Sequence, residues 1–500
     1  MVGPVVLALL AFIGAWVCQI VFRGMTGPLR KVPGPLYARF TSLPLKWATL
    51  TGRRIFFVDK LHRHYGDMVV IAPDQVNCNS PSMLREIHRH GNGFRKTRWY
   101  VKFGGFPDVD ERQSVFTILD TVIHAARRKL MGRAFSKSEI RKHWEKAIKG
   151  KVDFAVKQMG AAADIHPDGE VDVQKWWTLM TADVSSMVSF GQPFDLLSMG
   201  EKNDYLRAVE AISKVDGILA ELPLLELLKY VPIPALQRLF SIHDSVGEFA
   251  ATTASNSVKQ AAGDTGSIFS RILAEGEKSG NQLSDLMMGR EARSLIIAGT
   301  DTTAITLTYL VWAVLSQPQL HQDLLAELHR EAAQANGGSD GDFTFTDEQL
   351  EKLPLLTATV QECLRLYGAA PGGLPRNPPP GGATVGGVYL PESVIVSTQA
   401  WSLHRHPDIW EDPEKFDVSR WLSASGLSES AKIAFNPFGG GARICLGLHI
   451  AEIELRYGAA MFFWRYPKAR LAPGTTTESM APENFFIIAP KAHECRVMLQ

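Results

Sequence analysis

Three consecutive glycines, Gly439, Gly440 and Gly441, stand just ahead of Cys445, and a helix-spaced apolar run follows it at Ile450, Ile453, Tyr457 and Ala460. Glycines let the backbone approach a large flat object without Cβ interference. The periodicity predicts a helix whose amino end lies at Cys445, where the dipole and free N–H groups favour a thiolate. A thiolate beside a glycine-lined flat space suits axial ligation of haem iron. Taken alone, these residues leave other readings open. Cys445 could be an inert buried cysteine. The glycines could form a nucleotide loop, although the spacing differs and no apolar strand leads into them. Cys445 and His449 could be half of a zinc site, although no second pair matches them.

The remainder of the chain narrows the class. With 45% hydrophobic residues, 11 Trp and 25 Phe, it can bury a sizeable core, and a net charge of +1 leaves no electrostatic footprint for nucleic acid. Its five cysteines are odd in number and scattered, which argues against a disulfide framework and for a reducing compartment. Val2–Phe22 carries no charged residue, and Arg23, Arg30 and Lys31 follow it. Roughly 20 such residues span a bilayer as a helix, and the basic flank places that side in the cytoplasm. A cleaved signal would have a shorter apolar core preceded by the basic residues. An uncleaved single-pass anchor over 1–22 is therefore expected. A basic, Pro/Gly-rich hinge should cover 23–35, with Val32-Pro33-Gly34-Pro35 as a stiff spacer, and one catalytic domain should fill 36–500.

Most of that domain reads as helix. Glu291–Leu315 is a long apolar segment with a small, polar patch at Ala298–Thr303, expected to interrupt the helix ladder. Gln319–Glu331 places Leu320, Leu324 and Leu328 on one face, with Pro318 at its first position. Strand candidates are Met68–Ile71 and Ala383–Val396, the latter with Gly386-Gly387 as a two-residue hairpin turn. Ala335–Gly341 and Pro371–Gly382 read as loops. The expectation is a mainly α fold with a minor β-sheet region.

The segment Phe435–Gly447, with Phe438, Gly441, Arg443, Cys445 and Gly447, resembles the cysteine-ligand loop of the cytochrome P-450 family. Four more motifs follow that family's order. Ala298-Gly299-Thr300-Asp301-Thr302-Thr303 resembles its oxygen-activation patch, and Glu362-x-x-Arg365 its buried charge pair. Phe416–Trp421 resembles the segment whose arginine, here Arg420, completes that cluster. His124-Ala-Ala-Arg127-Arg128 is similar to an early helix that meets the haem.

This resemblance implies the P-450 fold, with haem b between the long central helix and the cysteine loop, and a monooxygenase using O2. It implies Cys445 as the iron ligand, Arg128, Arg376 and Arg443 as cations for the propionates, and Asp301 and Thr302 as the proton relay. His124 stands where the family often has tryptophan. Substrate contacts are expected from Phe94–Leu119, the surroundings of Ala298, Ala369–Leu374 and Met480–Ile488, for an apolar small molecule. No segment remains for flavin or nicotinamide. Electrons are therefore expected from NADPH through a separate flavoprotein, an NADPH–cytochrome reductase, with cytochrome b5 as an auxiliary. Arg127, Lys129 and Arg133 are expected to contribute to a basic docking face. The implied location is the endoplasmic reticulum membrane, with the catalytic domain facing the cytoplasm. Ala369–Arg376 and Trp401–Arg405 further resemble fungal monooxygenases of secondary metabolism. A haem-thiolate isomerase or dehydratase, or a haem-binding protein without turnover, is the alternative.

Overall fold

The computed structural model describes residues 2–104, 113–234, 236–237, 240, 252, 267–280, 282–335 and 345–500. Its central element is the helix Asp285–Leu315, capped by Ser284, whose side chain accepts the Met287 N–H. The expected interruption at Ala298–Thr303 is absent: the helix runs unbroken through the patch. The polar groups there are satisfied without opening the ladder. Thr300 and Thr302 donate their hydroxyls back to the carbonyls of Ile296 and Ala298 at 2.7 and 2.9 Å. Gly299 serves helix packing instead, since a Cβ there would lie 2.4 Å from Ser185 Oγ on the neighbouring helix Val173–Phe190.

Beyond the patch the central helix is mostly apolar because it is enclosed. Leu307, Tyr309, Leu310, Val311 and Val314 join Trp177, Ile453, Phe462 and Phe463 in the largest core cluster. Full burial of each such side chain contributes about 1.5–3 kcal/mol. Gly458, on the helix Leu448–Arg465, permits the close crossing there: a Cβ would stand 2.6 Å from Leu307. Pro318–Ala335 forms the expected amphipathic helix, with Leu320, Leu324 and Leu328 buried. Of the loop expected at Ala335–Gly341, Ala335 ends this helix and 336–341 lie outside the described residues.

The largest sheet has five strands in the order Met68–Ala72, Gln75–Cys78, Ile395–Thr398, Arg376–Asn377 and Arg95–Lys96. Gln75–Cys78 runs parallel to Ile395–Thr398, and the other pairs are antiparallel. Gly386 and Gly387, both at positive φ, turn a separate hairpin of Ala383–Val385 and Val388–Leu390. The expected strand Ala383–Val396 is thus split, its last two residues belonging to the larger sheet. Pro371–Gly382 likewise contains a strand, Arg376–Asn377, which proves important for the site.

Val2–Thr26 is one helix, and its apolar stretch from Val5 is long and apolar enough to cross a membrane. Asp285–Leu315 meets the same length and composition test, but most of it is buried in the protein. From Leu29 onward the chain is docked, not free. Leu29 and Val32 are buried against the sheet, and Val70 N–H donates to Pro33 O at 2.8 Å.

Candidate active site around Cys445

The cysteine loop folds back on itself through Cys445 N–H to Phe438 O and Gly439 N–H to Asn436 O, both 2.9 Å. Gly441 stands at φ +62°, and a Cβ there would fall 1.6 Å from the carbonyl oxygen of His88. The glycine is therefore required by conformation and by space. Cys445 precedes the helix Leu448–Arg465, capped at Gly447. The Gly447 N–H and the charge of Arg128 pull the Cys445 thiol pKa down, but burial outweighs them and raises it. The dipole alone does not make the thiolate. A coordinated cation would displace the proton outright. Cys445 nevertheless keeps accessible surface.

Cations converge beside this loop. Arg128 donates to Ile444 O at 2.5 Å, and Arg443 donates to the carbonyls of Ile118 and Leu119 at 2.8 and 3.3 Å. Arg376 is buried and donates to Tyr100 Oη at 2.5 Å. Lys96 pairs with Arg376 across the two short strands and donates to Phe116 O. The sequence reading missed Lys96, because a two-residue strand carries no periodic signal. Burial, with Arg443, Arg376 and Arg128, holds the Lys96 pKa well below its usual value. Burial and the same cations push buried His124 down to about 3, so its imidazole is neutral. Among the described residues no ion pair joins Lys96, Arg128 or Arg376 to a carboxylate. Such a cluster is costly without an anion. A dianion such as the two haem propionates meets that need, and the residues present fit the group.

On the other side of the loop, Glu362 and Arg365 are fully buried and joined by two 2.7 Å hydrogen bonds. Glu362 also accepts from Arg420 Nε at 3.1 Å, Trp421 Nε1 at 2.9 Å and Asp417 N–H at 2.8 Å. Arg365 donates onward to the carbonyls of His404, Pro413 and Lys415. His404 Nε2 accepts the Asn436 N–H at 3.0 Å, which stitches this cluster to the cysteine loop. Burial pushes His404 down to about 3, the neutral state that acceptance requires. Trp421 and His404 were not anticipated, since their contacts span 59 and 32 residues.

Asp301 and Thr302 lie on the central helix. Asp301 is buried, and its pKa is pushed up to about 7, by burial first and then by Glu210, with Lys202 opposing. Lys202 and Glu210 are themselves paired at 2.5 Å. Thr302 Oγ1 is exposed while donating to Ala298 O. Three segments expected to contact substrate meet at a small cleft lined by Trp99, Gly372, Gly373, Phe485 and Phe486, with an Arg54–Glu221 ion pair of 2.8 Å among its walls. Trp99 Nε1 is buried there without a partner among the described residues. Phe116 and Phe103 extend this aromatic group, while 105–112 of the expected Phe94–Leu119 segment lie outside the described residues.

One surface expectation is overturned. Arg127 is buried and bonded to Glu291 at 2.6 Å, so it cannot belong to a docking face. Glu291 also accepts the Val115 N–H, tying the loop before helix Thr121–Gly132 to the central helix. Lys129 and Arg133 do lie on the surface.

Comparison with known proteins agrees with this geometry. The family model described as Cytochrome P450 matches residues 33–495. The chain is 40% identical to Cytochrome P450 monooxygenase aflV of Aspergillus parasiticus, over 98% of this chain and 96% of that one. It is 38% identical to Cytochrome P450 monooxygenase stcB of Emericella nidulans, over 97% and 91%. Among solved structures, the cytochrome P450DA heme domain superposes with a TM-score of 0.74 at 18% identity, covering 90% of this chain and 94% of that one. The family-model match over most of the chain and near full-length similarity to monooxygenases lead to one assignment: the chain belongs to the cytochrome P450 family and is a monooxygenase.

Proposed function

We propose that this monooxygenase oxidises an apolar small molecule in fungal secondary-metabolite biosynthesis, using electrons passed from NADPH by a separate reductase. The observation that carries the reading is that the fold holding the cysteine loop and its cations also carries Asp301, buried beside Thr302 in sequence on the central helix. A haem carrier or sensor needs no proton relay. When bound, the haem supplies the oxygen chemistry, thiolate ligation favouring O–O cleavage. The protein's own groups do the rest. Cys445 holds the iron, with Phe438, Gly441 and Gly447 shaping its loop. Arg128, Arg443, Arg376 and Lys96 hold the propionates, and neutral His124 adds a hydrogen bond. Trp99, Phe485 and Phe486 orient an apolar substrate and exclude water. Asp301 holds a proton, and the Thr302 hydroxyl passes it on.

A bilayer setting fits the surface. Besides the amino-terminal helix, Leu43 and Trp47 are 70% and 68% exposed, and Leu224 and Tyr230 78% and 74%. Large apolar groups of this kind mark contact with a membrane or partner. We place the protein in the endoplasmic reticulum membrane, its catalytic domain facing the cytoplasm, with an NADPH–cytochrome reductase and auxiliary cytochrome b5 as partners.

The test is turnover in microsomes carrying this chain and a reductase, given NADPH, O2 and apolar pathway intermediates. Product should require both cosubstrates. Product formed without them would instead indicate an isomerase or dehydratase, and none across diverse candidates would refute the reading. Asp301 keeps its proton below about pH 7, so proton-limited turnover should fall as pH rises through that value. Asp301→Asn should remove this dependence and lower product formation by about 10²-fold. An unchanged rate and profile would exclude Asp301 from the relay.

A further inference from the structure

Charged side chains from four separate places in the fold hold the backbone of loop 113–119. Arg127 donates to Gln113 O at 3.3 Å, Lys96 donates to Phe116 O, and Arg443 donates to the carbonyls of Ile118 and Leu119. The fourth is Glu291 of the central helix, and of these four it alone is an anion. Its carboxylate oxygens accept the Val115 N–H at 2.9 and 3.1 Å. Glu291 has no exposed surface, and its ion-pair partner Arg127, at 2.6 Å, is 6% exposed. The pair with Arg127 would by itself compensate the buried charge. What the Val115 bond adds is a fixed distance between the central helix and the loop.

The loop is closed on itself between these anchors. The N–H groups of Thr117 and Ile118 both donate to Ser114 O, at 2.9 and 3.0 Å, and the Thr117 hydroxyl donates to Gln113 Oε1 at 2.7 Å. Gln113, Ser114 and Thr117 are buried. A displacement of Val115 is therefore carried to its neighbour Phe116. The Phe116 ring meets Tyr100, Phe103 and Phe486 edge-on, with centroids 5.4, 5.9 and 6.3 Å away. Phe486 in turn lines the cleft beside Trp99. Edge-to-face packing depends on ring placement, so a shift of the loop reaches the cleft wall.

We propose that Glu291 is a specificity-determining positioning residue. Anchored on the central helix, it fixes Val115 and so sets where the Phe116 ring stands in the wall of the substrate cleft. This rests on the reading of that aromatic cleft as the substrate site. Glu291 acts through Val115 and Phe116, not by touching the substrate, so its loss should alter which ligands fit and leave the iron site itself intact.

Optical titration of the full-length, haem-loaded protein tests this without turnover. The probes are imidazole and 1-phenylimidazole, two iron-binding ligands that differ by one aromatic ring. Glu291→Gln keeps the side-chain size but sets an amide donor, in place of one carboxylate oxygen, against the Val115 N–H. It should lower 1-phenylimidazole affinity by about tenfold, the worth of one misplaced aromatic contact, and leave imidazole affinity unchanged. Phe116→Ala should show the same selective loss, and adding Glu291→Gln to it should cost nothing further. Amide hydrogen exchange should quicken at 113–119 in Glu291→Gln and stay slow along the central helix. Should Glu291→Gln load haem poorly because Arg127 keeps an unmatched charge, Arg127→Met/Glu291→Gln removes both charges and must show the selective loss. Equal loss for both probes, loss for neither, or a Glu291→Gln loss that persists in the Phe116→Ala background would overturn the proposal. A parent protein that binds both probes yet forms no product would instead count against the function proposed above and leave this assignment standing.

Discussion

Glu362→Ala should yield a protein that fails to incorporate haem and is destabilised by about 3–5 kcal/mol. Glu362 receives two bonds from Arg365, one each from Arg420 and Trp421, and one from the Asp417 backbone. Removing it leaves the guanidinium of Arg365, which has no exposed surface, without a counter-charge in the interior. The carbonyls that Arg365 also contacts cannot neutralise it. The damage should reach the cysteine loop through His404 and Asn436. Haem per polypeptide and denaturant unfolding read the two effects. Full haem content with unchanged stability would reject the role assigned to this cluster.

Gly441→Ala should be comparably severe, at about 4 kcal/mol or more, among the largest effects of single substitutions. Positive φ disfavours any Cβ, and the new carbon would overlap the His88 carbonyl, a backbone atom that cannot rotate away. Gly447→Ala gives the contrast. Gly447 has φ −83° and nothing within 4 Å of its Cβ position, so folding stability should barely change. The family motif ranks the two glycines alike, and the structure separates them. Chemical denaturation of both variants reads the difference, and equal stability would contradict the loop geometry.

Local signals carried far in this chain. The helices around Leu320–Leu328 and after Cys445 follow from apolar spacing, and the Gly386-Gly387 turn from conformational need. Glu362 and Arg365 sit one helical turn apart, so their meeting needs no tertiary knowledge. The misses have tertiary causes. Arg127 reads as a surface charge because its partner Glu291 is 164 residues away. Lys96 becomes a site cation only where a two-residue strand lies against Arg376. The patch at Ala298–Thr303 looked like a helix break because small and polar residues disfavour helix; threonine hydroxyls satisfied by earlier carbonyls keep it intact.

The central claim is that Cys445 ligates haem iron as a thiolate. The direct measurement is the carbon monoxide difference spectrum of the reduced, haem-loaded full chain, compared with Cys445→Ser. The parent should give the red-shifted band of a thiolate-ligated haem, and the serine variant should lose it. A Cys445→Ser protein that kept that band would contradict the assignment.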